Sequence, residues 1–467
     1  MGCRGIFFSR PPCCLMLLGM SENLLITADW ILPISGAPLE GGAVDVREGR
    51  IHAVGSAREL LPAAEESRRI DLGQAALLPG LVNTHAHLEL TALRGFLEED
   101  DFFSWIRKLT DTKYGRLDEE DLLCSARLGV IEATRAGITT IADIADAGVS
   151  LAALVEGGLR SVLYQEVFGP DPDQAEASLE GLKEKLAAHE AARTQRVSIG
   201  ISPHAPYTVS RRLFEMVAEF ALSGGYPVSV HAAESAAEAA FVQKAEGPFA
   251  DYLRSRDIEV KPLGESTIRF LEETGLLETS PLLAHCIDCS EEDLRIVAGS
   301  GSAIAHCPKS NAKLGHGTAP LAAMLREGAR VGLGSDGVVC NNTCDLLEEA
   351  RFGALLQRAG GEEDLLGAGD FLRLATLGGA AALGLDGDIG SIEEGKLADL
   401  CAVNLDSPHL APVLDVEAAV LWSASARDVI LTVVEGEVLY DGRELRRLDE
   451  AFLSEPLETI REKLSNS

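Results

Sequence analysis

Eight apolar segments, each followed by a stretch of helical character, leave this chain few ways to fold. They are Leu81–His87, Gly137–Ile144, Arg160–Phe168, Val197–His204, Pro227–Glu234, Pro281–Cys286, Gly301–Cys307 and Arg330–Asp336. Between them, stretches such as Glu119–Ala136, Gln174–Ala192, Arg211–Ser223 and Glu291–Ala298 carry the apolar spacing of helices that cover a sheet. A helix between two strands returns the chain to the same edge, so the strands run parallel. Eight repeats predict an α/β fold closed into a (β/α)8 TIM-like barrel.

Both flanks have a different texture. Leu24–Leu32, Ala43–Val46, Gly49–Val54 and Ala76–Leu78 read as short strands separated by glycine and proline. Asp399–Val403, Val429–Val434 and Glu437–Tyr440 repeat the pattern near the other end. Either group alone is too small for a stable sheet. The expectation is a small composite β-sandwich made of residues 20–78 and 389–447, with the barrel inserted as 79–388 and a helical tail at 448–467. Residues 1–19 read as a disordered upstream extension, with natural translation starting at Met20. Their apolar run, Cys13–Gly19, is short, follows Pro11 and Pro12, and has no clear small-x-small cleavage site.

A formal net charge of −32 argues against a nucleic-acid polymer as partner, because phosphates would be repelled. No segment is long and apolar enough to span a membrane. The ten cysteines are scattered, and Cys286-Ile-Asp-Cys289 is the only CxxC, without a second pair at zinc-finger spacing. Buried free thiols in a reducing, cytoplasmic setting are expected.

The reactive side chains gather at the carboxyl ends of the predicted strands, where such barrels carry their catalysis. His85, His87, Asp143, Glu166, His204, His231, Glu234, His285, His306 and Asp336 all fall there, and His316 lies on a nearby loop. Alternate residues of a strand share a face, so His85 and His87 converge. With His231 and Asp336 they make a three-nitrogen, one-oxygen set with one position left for water, suited to one divalent metal: zinc, with iron as the alternative. Alone, His231 would read as a core polar residue and Asp336 as a turn residue in Ser335-Asp336-Gly337. Glu234 lies three residues beyond His231 and could carry a proton; its plain alternative is an acid at a helix start. His285 could steady developing charge. The site is not that of small cytidine-type deaminases, since no P-C-x-x-C pair exists.

Pro79-Gly-Leu-Val-Asn-Thr-His85-Ala-His87, His231-Ala-Ala-Glu234, His285-Cys286, Cys307-Pro-Lys-Ser-Asn311, Ser335-Asp336-Gly337 and Asn341-Asn342 together resemble the amidohydrolase superfamily. Ala375–Ala380 and Gly390–Leu400 extend the likeness. The chain resembles its branch of mononuclear-metal deaminases and chlorohydrolases acting on purines, pyrimidines and triazines. The resemblance implies one metal on His85, His87, His231 and Asp336, with Glu234 as proton shuttle and His285 beside the attacking oxygen. The bridging lysine of two-metal members has no counterpart, because strand four ends in Ser202-Pro-His204. A homodimer acting on a small-molecule substrate is implied.

Ser202-Pro-His204-Ala-Pro206 and Leu93-Arg94-Gly95 are similar to deaminases of S-adenosylhomocysteine or 5′-methylthioadenosine. Leu88-Glu89-Leu90-Thr91, Phe102–Ile106 and Glu246–Phe249 look more like deaminases of aminodeoxyfutalosine. The shared chemistry is loss of the 6-amino group from an adenine nucleoside, 5′-deoxyadenosine included. The resemblance brings His204, Arg94, Glu89, Trp105, Ser310 and Asn311 forward as substrate contacts. Phe102, Phe103 and Trp105 could cover a 5′ substituent or simply pack a helix, and Arg94 or Lys309 could pair with a carboxylate. Two other readings stay open: hydrolysis of a triazine or a free base such as guanine or cytosine, and a non-catalytic metal-binding scaffold.

Overall fold

The computed structural model describes residues 22–62, 67–98, 101–361 and 365–465. The expected extension at 1–19 lies outside them. Five strands open the chain: β1 (Leu24–Ile31), β2 (Leu39–Arg47), β3 (Arg50–Ser56), β4 (Arg68–Asp71) and β5 (Ala75–Pro79). Eight parallel strands follow. They are β6 (Leu81–Ala86), β7 (Ile138–Ala145), β8 (Arg160–Val167), β9 (Val197–Pro203), β10 (Ser229–Ala232), β11 (Leu282–His285), β12 (Ala303–His306) and β13 (Arg330–Leu333). The last three strands are β14 (Leu400–Asn404), β15 (Val429–Val434) and β16 (Glu437–Tyr440).

The fold is mixed α/β with parallel sheets. Strands β6 to β9 form one four-stranded sheet and β10 to β13 another. Isolated parallel bridges join Ile201 to Val228 and Ala86 to Asp336, at the two seams between these sheets. All eight sequence-predicted strands are present, but several ladders stop short of the residues expected to end them. The reason is local: Ala233, His285, Cys286 and Asp336 have positive φ, which breaks strand geometry where the reactive side chains begin.

The two flanks share one sheet in the order β16-β15-β14-β5-β1-β2-β3, with β4 paired to β1. The junction is the antiparallel pair β14–β5, from Leu400 opposite Pro79 to Asn404 opposite Ala75. This sheet is tied to the parallel strands by a buried ion pair. Arg160, at the start of β8, donates from Nε to Asp399 Oδ2 at 2.8 Å, and Asp399 Oδ1 accepts the Glu435 amide at 2.8 Å. The helix Ser454–Ser465 buries Ile460 and reaches the helix Glu119–Arg135 through Lys463, which pairs with Asp118 and Asp121. No helix among the described residues is long and apolar enough to cross a membrane.

A second buried carboxylate fixes the loops after β12 and β13. Glu349, on the helix Leu346–Gly360, accepts the Lys309 amide at 3.2 Å and the Asn341 side-chain amide at 2.9 Å. Burial pushes its carboxyl from 4.5 up to about 8, against the lowering influence of Lys309. The folded chain therefore holds this proton more tightly than the unfolded chain. The stabilisation is complete below about pH 4.5 and is lost as pH rises through about 8. Glu349→Gln should flatten the pH dependence of urea-unfolding free energy across that window, by up to about 1.4 kcal/mol per pH unit. Parallel slopes for the two proteins would show that Glu349 does not carry the shift. In the same assay, Asp399→Ala should cost about 3–5 kcal/mol, because Arg160 is left buried and unpaired.

Candidate metal and catalytic site

The strand pleat turns His85 and His87 toward a common point, their ring centroids 5.0 Å apart. His231 follows the strand bond of β10 into the same space, its centroid 5.0 Å from that of His85. The carbonyl of His204 accepts from His231 Nδ1 at 3.0 Å. A carbonyl only accepts, so Nδ1 carries the proton and Nε2 presents its lone pair inward. Asp336 arrives from β13 because Gly334 lets the strands close: a Cβ there would stand 2.7 Å from His85 Cβ. The Asp336 amide then donates to the His85 carbonyl at 2.8 Å, and its φ of 59° turns the carboxylate inward.

His87 Nε2 and His231 Nε2 are 3.3 Å apart. Asp336 Oδ1 is 3.4 Å from His85 Nε2 and 3.5 Å from His87 Nε2. Donors about 2.1 Å from a shared ion stand roughly 3–3.5 Å apart, so these three separations are compatible with one ion that keeps a further position for water. Both ring nitrogens of His85 are buried without a hydrogen-bond partner, a costly arrangement that a ligated ion would relieve at the nitrogen it binds. Burial, reinforced by neighbouring imidazoles, lowers His87 to about 3 and His231 well below 6.5. Burial alone would raise Asp336, but the imidazoles of His85, His285 and His87 hold it well below 3.8. Neutral imidazoles and an ionised carboxylate are the forms that bind metal.

Glu234 lies next to His285 beside this cluster. Its loop is pinned by the buried Glu238, which accepts the Ala233 amide at 2.8 Å and the Glu234 amide at 2.9 Å. Burial, with the charges of Asp336 and Glu238, raises the Glu234 carboxyl well above 4.5. Its Oε1 lies 3.7 Å from His285 Nε2 and 3.8 Å from His316 Nε2. His285 pairs through Nδ1 with Asn311 Oδ1 at 2.9 Å, and burial lowers it to about 4, so a neutral ring aims Nε2 at the site. Its φ of 75° is strained for a residue with a Cβ, which fits a position fixed for function. Ser310 donates to Asp336 Oδ2.

A cavity of about 420 Å³ opens above these groups, of a size suited to a small molecule. Among the residues read from sequence as substrate contacts, His204 and Trp105 line it. Ser310 and Asn311 do not line it; they hold Asp336 and His285. Glu89 is buried beneath the rim, where its carboxylate accepts the amides of Ala147 and Val149 and meets Lys113 Nζ at 3.4 Å. Arg94 is outside the lining and pairs with Glu132, because the turn Leu88–Leu93 directs it away. Lys309 is likewise paired elsewhere, with Glu348 at 2.8 Å.

The helix Phe102–Arg116 crosses the mouth. Of the residues it gives to the lining, Phe102, Trp105, Ile106, Leu109 and Lys113 share one face at helical spacing, and Phe103, Arg107 and Asp111 flank that face. That spacing was readable, and it would have drawn in Lys113 with the aromatics. Tyr207, whose hydroxyl reaches Glu234 Oε2 at 3.5 Å, was also missed, although it directly follows His204-Ala-Pro206.

Known proteins carry the same likeness. The model described as Amidohydrolase family matches residues 76–439. A 5-methylthioadenosine/S-adenosylhomocysteine deaminase of Moorella thermoacetica is 34% identical over 436 residues, covering 91% of this chain and 96% of that protein. The protein of that name from Halobacterium salinarum is 33% identical, covering 93% and 96%. An adenosine deaminase from Xanthomonas campestris, solved with bound zinc, aligns with a TM-score of 0.83 at 27% identity, over 96% of this chain and 99% of that one. The fold is shared by an aminofutalosine deaminase from Helicobacter pylori, with a TM-score of 0.77 at 21% identity, over 89% and 99%. A match across most of its length, joined to motifs that meet in one cavity, makes this chain a member of the Amidohydrolase family.

Proposed function

We propose that this protein is a metal-dependent deaminase that hydrolyses the 6-amino group from an adenine nucleoside and releases ammonia. The observation that carries the reading is the joint position of Glu234 and His285 beside the donors His85, His87, His231 and Asp336 at the floor of one cavity. The deaminase names of the relatives support the same reaction class, hydrolysis of a C–N bond in a cyclic amidine. The eight parallel strands are read as one closed barrel. Side chains of β7 and β8 share an apolar cluster with those of β11 and β12, as closure requires. The terminal sheet is read as a sandwich folded on its own core of Leu24, Ile26, Val44, Leu77, Leu400 and Val433.

His85, His87, His231 and Asp336 would hold one divalent ion, zinc by donor type and by analogy with the zinc-bound relative, with iron as the alternative. Such an ion supplies a Lewis acid that makes water nucleophilic near pH 7. The chain's own residues do the rest. Glu234, protonated in its dry site, faces the purine edge and gives its proton to N1 as water adds at C6. The carboxylate then takes the two protons of the added oxygen in turn: the first is passed to the amine, and the second leaves Glu234 protonated again as the C6 carbonyl forms, the C–N bond breaks and ammonia departs, giving an inosine-type product. His285 Nε2, held by Asn311, accepts a hydrogen bond from the attacking oxygen and orients it. His204, with Nδ1 held 2.7 Å from Thr208 Oγ1, presents its other nitrogen to the purine. The free cysteines among the described residues suit the reducing compartment read from sequence.

Glu234→Gln should keep one metal per chain by elemental analysis while ammonia release from adenine nucleosides falls by roughly 10² to 10⁴. Near-normal release from the metal-loaded variant would remove Glu234 from this role. Dialysis against a chelator should abolish turnover and lower the melting temperature, since ligation stabilises only the folded site. Zinc should restore both. An unchanged melting temperature with full activity would contradict the metal assignment.

A further inference from the structure

We propose that the cavity mouth is an anion subsite in which Arg107 and Arg256 select nucleosides whose 5′ substituent ends in a carboxylate. The proposal rests on the adenine nucleoside reading and names the part of the substrate that reading leaves open. Arg107 lies on the helix Phe102–Arg116, and Arg256 follows the helix Pro248–Arg254. These elements are far apart in the chain, yet both arginines line the same cavity. Both guanidinium groups also reach one ring, that of Tyr252, at 4.8 Å for Arg107 and 5.7 Å for Arg256.

Neither cation is closely neutralised. Among the described residues Arg107 has only Asp111, one helical turn along, with an N–O distance of 3.8 Å that is beyond a hydrogen bond. Arg256 has no carboxylate within ion-pair distance among the described residues. Other arginines of this acidic chain are tightly matched, as Arg127 is with Glu156 at 2.7 Å and Arg196 with Glu435 at 2.9 Å. A guanidinium with free donors offers a fork that fits a carboxylate in two hydrogen bonds. Asp111 lines the same rim, but two guanidinium groups outnumber that one carboxylate there and leave a local excess of positive charge, in a chain of net charge −32, that would attract an anion.

The wall between this pole and Glu234 is aromatic. Phe103 packs against Phe249 at 5.6 Å and Tyr252 at 6.0 Å, and Phe249 stacks on Tyr207 at 3.9 Å. Tyr207 in turn reaches Glu234. A substituent leaving the ribose therefore crosses an apolar surface before it meets the arginines. The substrate that matches is an adenine nucleoside with an apolar or aromatic arm and an anionic end, not one with a short neutral cap.

The test is steady-state deamination by the zinc-loaded full chain with three nucleosides: S-adenosylhomocysteine, its carboxamide and 5′-methylthioadenosine. The double variant Arg107→Gln, Arg256→Gln should lose about tenfold or more in kcat/KM on S-adenosylhomocysteine, mainly through KM. On 5′-methylthioadenosine it should change less than about twofold, which also reports that the variant is folded. The wild type should disfavour the carboxamide, and the double variant should not distinguish it from the acid. Equal effects on all three nucleosides, or no effect on any, would overturn the subsite while leaving the deaminase reading intact. No ammonia from any of the three with the wild type would overturn the deaminase reading and the subsite with it.

Discussion

Three imidazoles and a carboxylate meet in this protein where burial penalises every charge and every unpaired nitrogen. His85 has no hydrogen-bond partner on either nitrogen, yet it lies at the centre, with the rings of His87, His231 and His285 all within 5.4 Å. Such a cluster would be expensive as a structural feature, because buried polar groups normally find partners. As a ligand set it is coherent: imidazole nitrogens beside an ionised oxygen, with Asp336 Oδ1 within 3.5 Å of His85 and His87 and the His87 and His231 nitrogens 3.3 Å apart. The rest of the architecture can be understood as the means of bringing the ends of β6, β10 and β13 together.

The supporting groups share a pattern. A buried side chain fixes a backbone or ring so that a reactive atom has only one direction to face. Glu238 holds the two amides that carry Glu234, Asn311 holds His285, Ser310 holds the outer oxygen of Asp336, and Glu349 ties the loops bearing Ser310 and Asn341. Positive φ at His285 and Asp336 adds local strain that this network must offset. Rigidity of this kind keeps donors aimed at the place where charge develops, which is where most catalytic stabilisation comes from. The cavity above is different in character. Its helical cover contributes aromatic side chains and cations, groups suited to recognising a substituent instead of reacting with it.

Much of this was legible in the sequence, and the reasons for the exceptions are physical. The eight parallel strands were readable because a buried strand is an unbroken apolar run, and the ligands because strand ends collect reactive residues. Strand β4 escaped notice because Arg68–Asp71 is polar and largely exposed, paired only along the edge of β1. Glu89 and Arg94 follow the His85–His87 pair closely in the chain, but the turn Leu88–Leu93 rotates them away from the cavity, one beneath the rim and one toward Glu132. Nearness in sequence says little about direction once a turn intervenes. Tyr207 and Arg256 enter the cavity from two separate elements. Their meeting depends on how those elements pack together, which local patterning does not encode.

The central claim is that one ion sits on His85, His87, His231 and Asp336 and no second ion accompanies it. X-ray absorption at the metal edge, on protein loaded with zinc and counted by elemental analysis, addresses it most directly. The account predicts one zinc per chain with three imidazole nitrogens and oxygen in its shell, and loss of that signature in His231→Ala. Sulfur in the shell, or a metal neighbour at about 3.5–4 Å, would contradict it.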